Sequence, residues 1–367
     1  MDGSTPTTPR DPAKLLTLQL TGTDPRAWGA QHGEAFASEI RELAAIRSDL
    51  LATALRGWTT AQVERLCDDH LHTLATRYPA TLAELEGIGA GSGTSLRELI
   101  ILNGYTDLRD FSASDRPAVE DGCSAMAIKG PHINFAAQTW DMHASAEPFT
   151  LLLDLPNATV PARVLTLTGC LGLCGVNAAG VSVMINNFHC RQTNRGGIVW
   201  PGLVRQMLDQ RTAHAAVATL KANLPSSGHN YLVSDRDEAF NIETTGLRHE
   251  QTGHVAREMV AAIGHTNHFV GALNSEEIVA RRSTSTDARL AALDAFFADH
   301  PAAEVTGTVA RAAFFEAGAL CDCVCFPKPQ DPAAACTCGG IAVDYATGTA
   351  MAFRGLYDKA HAIEWRF

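Results

Sequence analysis

With 367 residues, 46% of them hydrophobic and 19% charged, the chain has the makeup of an ordinary globular protein with room for one large domain or two intermediate ones. Its formal net charge of −11 and the lack of any basic run exclude phosphate-backbone binding, so no nucleic-acid partner is expected. The same balance suits a cationic or zwitterionic small molecule. No run of about 18 apolar residues occurs, which argues against a membrane partner. The opening MDGSTPTTPRDPAKLL has no apolar stretch behind a basic segment, so a cytoplasmic location is expected.

The first dozen residues, rich in Pro, Thr and Ser, read as a loose terminus. From Asp24 to about Leu74 the spacing of apolar residues, as in ELAAIRSDLLATAL, predicts helix, with Asp24-Pro25 as the start signal. PATLAELEGIGAGSGTSLRELIILNGY predicts further helix, broken at the glycine-rich GIGAGSG and restarted by Ser95 as a cap. After Cys123 the pattern changes. SAMAI, HINFAAQTW, FTLLLDL, RVLTLT, GVSVMIN, NYLVSD, AFNIET and GIAVDY are short apolar or alternating runs separated by turn residues, which predicts strands. Helical spans near Trp200 to Asn223 and Thr286 to Phe297 interrupt them. The expected class is α+β, with an antiparallel sheet system packed by helices and a helical front segment.

Three stretches carry candidate chemistry. EDGCSAMA presents Cys123, and NFAAQTWDMHASA places Asp141 eighteen residues later, enough for a strand, a turn and a returning strand. An acid and a thiol at the tops of paired strands can meet, although a solvent-facing Asp at a turn fits the spacing too. GHTNHF sets Asn267 between His265 and His268; an Asn amide can donate to a developing oxyanion and a neighbouring His can shuttle a proton, while a loop Asn supporting a turn is the plainer reading. A Cys with distant His and Asn also fits papain-type proteases, but their local cysteine signature is absent. Cys321, Cys323, Cys325, Cys336 and Cys338 invite a metal reading, yet the C-x-C spacing differs from the usual C-x2-C, so they are expected to be buried strand thiols with no metal.

Taken in order, these segments resemble the acyl-coenzyme A:6-aminopenicillanic acid acyltransferase family of N-terminal nucleophile (Ntn) hydrolases. DGCSA resembles its Asp-Gly-Cys-Thr/Ser processing site, QTWDM its Gln-Asn-Trp-Asp segment, CGVNAAGVSVMIN its Gly-x-Asn-x-x-Gly hairpin and HTNHF its His-Thr-Asn-His loop. RAWGAQHGEAF and LAELEGIGAGSGTSLRELIILN look like its helical pro-segment. The resemblance implies a four-layer αββα sandwich in one globular domain, with self-cleavage between Gly122 and Cys123 into an α-chain of residues 1–122 and a catalytic β-chain of residues 123–367. It further implies Cys123 as nucleophile, Asp141 holding the new α-amine and Asn267 serving the oxyanion. Ser124, Met142, Asn186, Asn187, His265 and His268 are candidates for supporting or substrate-binding positions, and which of Asn186 and Asn187 faces inward is open, because strand neighbours point to opposite sides.

No cofactor is implied. The expected partner is a small N-acyl or N-aminoacyl amide to be hydrolysed; the alternative is acyl transfer to an amine, with an acyl-coenzyme A as a possible donor. The chain departs from the family pattern twice. Asn103-Gly104-Tyr105-Thr106-Asp107 stands where relatives read Asn-x-Arg-Thr-Glu, and Val324-Cys325-Phe326 lacks the Arg that follows an Ile-Cys pair in relatives. Both departures bear on substrate choice.

Overall fold

The computed structural model describes residues 14–112, 122–316 and 318–367; the start expected to be loose, and Asp121 beside the expected cleavage site, lie outside them. The first third is built from strand β1 (Leu16–Gln19) and helices α1 (Pro25–Ala35), α2 (Ala37–Ala54), α3 (Thr60–Arg77), α4 (Pro79–Ser92) and α5 (Leu96–Leu108). The predicted start signals operate as expected. Asp24 accepts the Arg26 N–H ahead of Pro25, and Ser95 forms a reciprocal capping box with Glu98 at the head of α5.

The break predicted at GIGAGSG falls on its last residue: α4 runs on to Ser92 and stops at Gly93, in the left-handed region with φ +75°. Gly costs about 1 kcal/mol per residue in a helix. Tertiary packing offsets it here, because α1 and α4 cross with their backbones in contact. A Cβ on Gly29 would stand 1.9 Å from the Glu84 carbonyl oxygen, and one on Gly87 would stand 2.1 Å from that of Arg26. Gly87 and Gly91 are the crossing surface, and Gly93 makes the turn.

The rest of the described chain supplies β2 (Ser124–Lys129), β3 (Asn134–His143), β4 (Thr150–Leu155), β5 (Ala162–Leu167), β6 (Cys174–Asn177), β7 (Ser182–Asn187), α6 (Trp200–Leu208), α7 (Ala213–Ala222), β8 (His229–Ser234), β9 (Glu238–Thr244) and β10 (His249–Ala256). It continues through β11 (Ala261–His265), α8 (Thr286–Asp299), α9 (Gly307–Phe315), α10 (Ala319–Val324), β12 (Ala335–Asp344), β13 (Thr349–Arg354) and β14 (Ile363–Arg366). One eight-stranded sheet has the order β1-β4-β5-β6-β7-β8-β9-β10, and a six-stranded sheet the order β11-β2-β3-β12-β13-β14. Every pairing is antiparallel except that of β1 with β4. The front segment is therefore not wholly helical; it lends an edge strand to the larger sheet. Its four residues, LTLQ, are too short a run to stand out by alternation.

Alternation along the strands separates the layers. On β2, Ala125 and Ala127 pack with Leu152, Leu165, Val176, Met184 and Leu232 of the facing sheet, while Met126 and Ile128 pack with Leu293, Phe296 and Phe314 of the helices behind. On the far side Leu151 and Leu153 of β4 join Ile40, Leu43, Leu85, Leu102 and Leu203 in a helix-covered core. The order helix, sheet, sheet, helix gives the four-layer αββα sandwich, and sheets buried on both faces explain the continuous apolar runs. Among the described residues no helix is long and apolar enough to cross a membrane. The cysteine cluster divides differently from expectation: Cys336 and Cys338 lie on β12, but Cys321 and Cys323 lie on α10, a short helix that starts after Gly318 at φ +108°.

His32 ties α1 to the larger sheet. It is fully buried, and its Nε2 accepts the Gly169 N–H at 2.9 Å, so the ring is neutral. Burial first, and the charge of Arg205 second, push its pKa down to about 3. Below the unfolded value near 6.5 the unfolded chain then binds a proton that the folded chain refuses, and stability falls as pH drops from about 6.5 towards 3. Between pH 7 and 5 this group alone is expected to cost roughly 2 kcal/mol. His32→Gln, which still offers an acceptor to Gly169, should flatten that slope in urea unfolding at the two pH values. At the helix crossing, Gly87→Ala is expected to destabilise by about 1–3 kcal/mol or more, the cost of overpacking, read as a lower urea midpoint with an unchanged m-value.

Candidate active site

Three neighbouring segments converge on Cys123, which sits one residue before β2 and is buried at 4% exposure. β3 flanks β2 on one side, with Ser124 opposite Thr139, and this register brings Asp141 to the same end of the sheet. β11 flanks it on the other side, with His265 opposite Ala125, so the loop that follows delivers Asn267. β7 of the facing sheet contributes Asn186.

The backbone of Cys123 is held at both ends. Its N–H donates to Asn267 Oδ1 at 2.6 Å. Its carbonyl accepts from Asn186 Nδ2 at 2.9 Å and from Arg289 Nη1 at 2.7 Å. Arg289, fully buried on α8, also donates to Asn267 Oδ1 at 2.9 Å and to Ser124 Oγ at 3.1 Å. Two donors on Asn267 Oδ1 fix its orientation; its Nδ2 donates to the Asn187 carbonyl at 3.0 Å and its own N–H to Thr286 Oγ1 at 2.8 Å. The first turn of α8 thus grips Asn267 by backbone and side chain together. It is the amide oxygen of Asn267, not the nitrogen, that meets Cys123.

The thiol lies 3.8 Å from the Asp141 carbonyl oxygen. The Asp141 carboxylate accepts from Thr337 Oγ1 at 2.7 Å and Thr139 Oγ1 at 3.3 Å, and Thr139 in turn accepts the Ser124 N–H at 3.2 Å. The two hydroxyl donors fix the orientation of this carboxylate. Beside the thiol lies a small cavity of about 10 Å³ with Trp140, Met142, Ile185 and Trp200 as its apolar wall and Thr106, Asn187 and His229 among its polar groups.

The structure separates Asn186 and Asn187 as strand geometry requires. Asn186 turns to Cys123 and is itself oriented by Asn230 Nδ2 at 3.1 Å, while Asn187 lines the cavity and offers its carbonyl to Asn267. The two histidines make their bonds elsewhere. His265 Nε2 meets Glu243 at 3.0 Å, and His268 Nδ1 meets Thr286 Oγ1 at 2.9 Å, with burial, then the Arg282 charge, pushing the His268 pKa down to about 4. As for the five late cysteines, no group of three or more metal-ligating side chains gathers anywhere among the described residues.

A family model described as acyl-coenzyme A:6-aminopenicillanic acid acyl-transferase matches residues 130–306. Over that span, just under half of its length, the chain is similar to this family. Among curated proteins, the 40 kDa form of acyl-coenzyme A:6-aminopenicillanic-acid-acyltransferase from Emericella nidulans is 24% identical over 259 residues, 69% of each chain. Two solved structures align more loosely. One is the Caenorhabditis elegans N-acylethanolamine-hydrolyzing acid amidase ortholog, with TM-score 0.42 and 13% identity, covering 67% of this chain and 99% of that one. The other is penicillin V acylase from Agrobacterium tumefaciens, with TM-score 0.37 and 12% identity, covering 69% of this chain and 80% of that one. The span matched by the family model takes in Asp141, Asn186, Asn267 and Arg289 and begins after Cys123.

Sequence reasoning missed Arg289, which reads as one more charged residue in the helical pattern TDARLAALDAFFAD. Phe326 follows Cys325 where relatives carry an Arg; the Arg289 guanidinium lies 6.0 Å from the centre of the Phe326 ring, reaching that neighbourhood from α8. His229, Trp200 and Thr337 were missed as well, since only the fold brings them to the site. Arg289→Lys keeps the charge but cannot span three oxygens on one fork. It is expected to cost roughly 1.5–3 kcal/mol for each acceptor left without its charged donor, checked by urea unfolding.

Proposed function

We propose that the chain cuts itself between Gly122 and Cys123 and then works as an N-terminal cysteine amide hydrolase on a small N-acyl or N-aminoacyl amide. The observation that carries the reading is the grip on Cys123: Asn267 holds its nitrogen while Asn186 and Arg289 hold its carbonyl, so the nitrogen freed by cleavage is already seated.

In the first reaction the Cys123 thiol adds to the Gly122 carbonyl carbon, the carbon–nitrogen bond breaks and the nitrogen takes up the proton. Water then hydrolyses the Gly122 thioester, releasing a carboxylate and restoring the thiol. Gly122 suits this because a Cβ there would stand 3.1 Å from Arg289 Nη2, tighter than most such contacts. In the second reaction the free α-amine, with an ordinary pKa of roughly 7.7–8.0, takes the thiol proton, and the thiolate attacks the substrate carbonyl. The leaving amine takes the proton, and water resolves the acyl-thioenzyme. Asp141 balances the α-ammonium and Asn267 accepts from it through Oδ1. Its Nδ2, engaged with Asn187 in the uncut chain, is the donor for the oxyanion, a role worth about 10²–10³ in rate where such a donor is removed. No His base is needed.

The two chains stay associated in this reading, because one continuous core contains Leu43, Leu85 and Leu102 of the first and Leu151, Val164 and Tyr231 of the second. Acyl transfer to an amine, with an acyl-coenzyme A as donor, is the second reading, favoured by the name of the Emericella relative. The small cavity beside Cys123 favours water and a compact acyl group.

Intact mass under denaturing, reducing conditions tests the proposal. From 39.1 kDa, fragments of 122 and 245 residues predict about 13 and 26 kDa, the larger beginning at Cys123. Cys123→Ala is expected to remain one chain and to turn over no amide; an Ala variant that still cuts itself would sink the proposal.

A further inference from the structure

Two thiols that the cleavage chemistry does not use stand on either side of the residue that holds Asp141. Cys336 and Cys338 lie on β12, both fully buried, with their sulfurs 3.9 Å apart. Between them Thr337 stands opposite Asp141 in the strand register, and its hydroxyl donates to Asp141 Oδ1 at 2.7 Å. The same hydroxyl oxygen accepts the Phe326 N–H at 2.8 Å, and the Thr337 N–H returns to the Phe326 carbonyl at 2.9 Å. With Phe326 on its lone pair, the hydroxyl has its one proton to give to Asp141, so long as the Thr337 backbone stays in place.

The two sulfurs differ in setting. Cys338 is anchored: its carbonyl accepts the Gly355 N–H at 2.9 Å and Thr150 Oγ1 at 3.0 Å, and the ladder with β3 shifts register beside it, between Thr337 and Gly339. Cys336 is the first buried residue after the exposed and half-exposed run 331–335, so opening of that end of the strand admits a small oxidant. The hydrogen bond from Cys338 holds the Cys336 thiol below its usual pKa, while burial pushes Cys338 up, which makes Cys336 the attacking sulfur. A disulfide needs its sulfurs about 2.05 Å apart. With Cys338 anchored, closing the gap draws in Cys336 and the one residue between them. Such a strained bridge is readily reduced again, as reversible bridges are.

We propose that Cys336 and Cys338 form a redox switch that acts on Asp141 by drawing Thr337 out of place. The Cys336 sulfur attacks one oxygen of hydrogen peroxide, the oxygen–oxygen bond breaks, and the second oxygen leaves as water with the thiol proton, giving a sulfenic acid at Cys336. The Cys338 sulfur then attacks Cys336; the S–S bond forms as the sulfenic oxygen leaves with the Cys338 proton as a second water. Two thiols lose two electrons, and one peroxide becomes two waters. A dithiol reductant reverses the change. The effect on turnover rests on the amide-hydrolase reading, whereas the bridge and the displacement of Thr337 do not.

The first test uses uncut Cys123→Ala protein, which lacks the nucleophile. Treated with hydrogen peroxide, it should lose two alkylatable thiols, show a Cys336–Cys338 bridge by peptide mass mapping, and regain both thiols with dithiothreitol. Adding Cys336→Ala should abolish the bridge; if that variant misfolds by circular dichroism, Cys338→Ala takes its place. A crystal structure of the bridged protein should show Thr337 Oγ1 beyond hydrogen-bond reach of Asp141. In the wild-type enzyme, amide turnover is followed against the occupancy of each oxidised site, because peroxide also attacks Cys123. Molecules bridged at Cys336–Cys338 with Cys123 still reduced are expected to turn over about 10-fold more slowly or worse, the scale of one hydrogen bond lost at a buried partner. Thr337→Val should reproduce that loss in the reduced protein, and bridging should then add nothing further, whereas Thr337→Ser should keep the response to oxidation. A bridge that fails to form in the uncut protein, one that maps to Cys321 or Cys325 instead, or a bridged structure that keeps the Thr337–Asp141 contact overturns the proposal, whether or not the reduced enzyme hydrolyses amides.

Discussion

The Arg289 guanidinium is the point on which the site's geometry turns, because its fork reaches oxygens that belong to separate pieces of chain: the Cys123 carbonyl, the Ser124 hydroxyl and the Asn267 amide. These three acceptors are neutral, so toward them the guanidinium is a charged donor feeding oriented dipoles. It fixes which end of Asn267 faces Cys123 and crowds the position of Gly122. Helix α8 can hold this cation because its first turn also binds the Asn267 backbone through Thr286. Strand pairing then carries the constraint outward, through β2 to Asp141 on one side and to the loop after β11 on the other.

How much of this was legible in the sequence depended on the range of the interaction responsible. Strands buried on both faces announce themselves as apolar runs, and the runs beginning SAMAI, HINFAAQTW and FTLLLDL became β2, β3 and β4. Caps are local, and Asp24 and Ser95 did what their positions suggested. GIGAGSG marked the break, which falls at Gly93, but propensity could not say that its first glycines stay helical, because the deciding contact is with α1, more than fifty residues away in sequence. Cys321 and Cys323 misled through a strand period read into a stretch that coils after Gly318.

The candidate site divides along the same line. Cys123, Asp141, Asn186 and Asn267 could be named because each stands in a recognisable local motif, and the fold brings them together. Choosing between Asn186 and Asn187 needed the register of β7 against β8 and the packing of one sheet on the other. Arg289 and His229 have no local signature at all. A buried arginine on an amphipathic helix and a histidine at the start of a strand acquire meaning only from the partners that the tertiary structure supplies.

The parallel pairing of β1 with β4 has a consequence for the border of the larger sheet. Were the first fragment lost after a cut, β4 would become the border of the larger sheet, and TLLLDL would present unpaired N–H and C=O groups along an apolar, nearly uncharged segment. Such a border recruits other chains. The short strand LTLQ therefore shields β4, and a chain made without residues 1–122 is expected to aggregate.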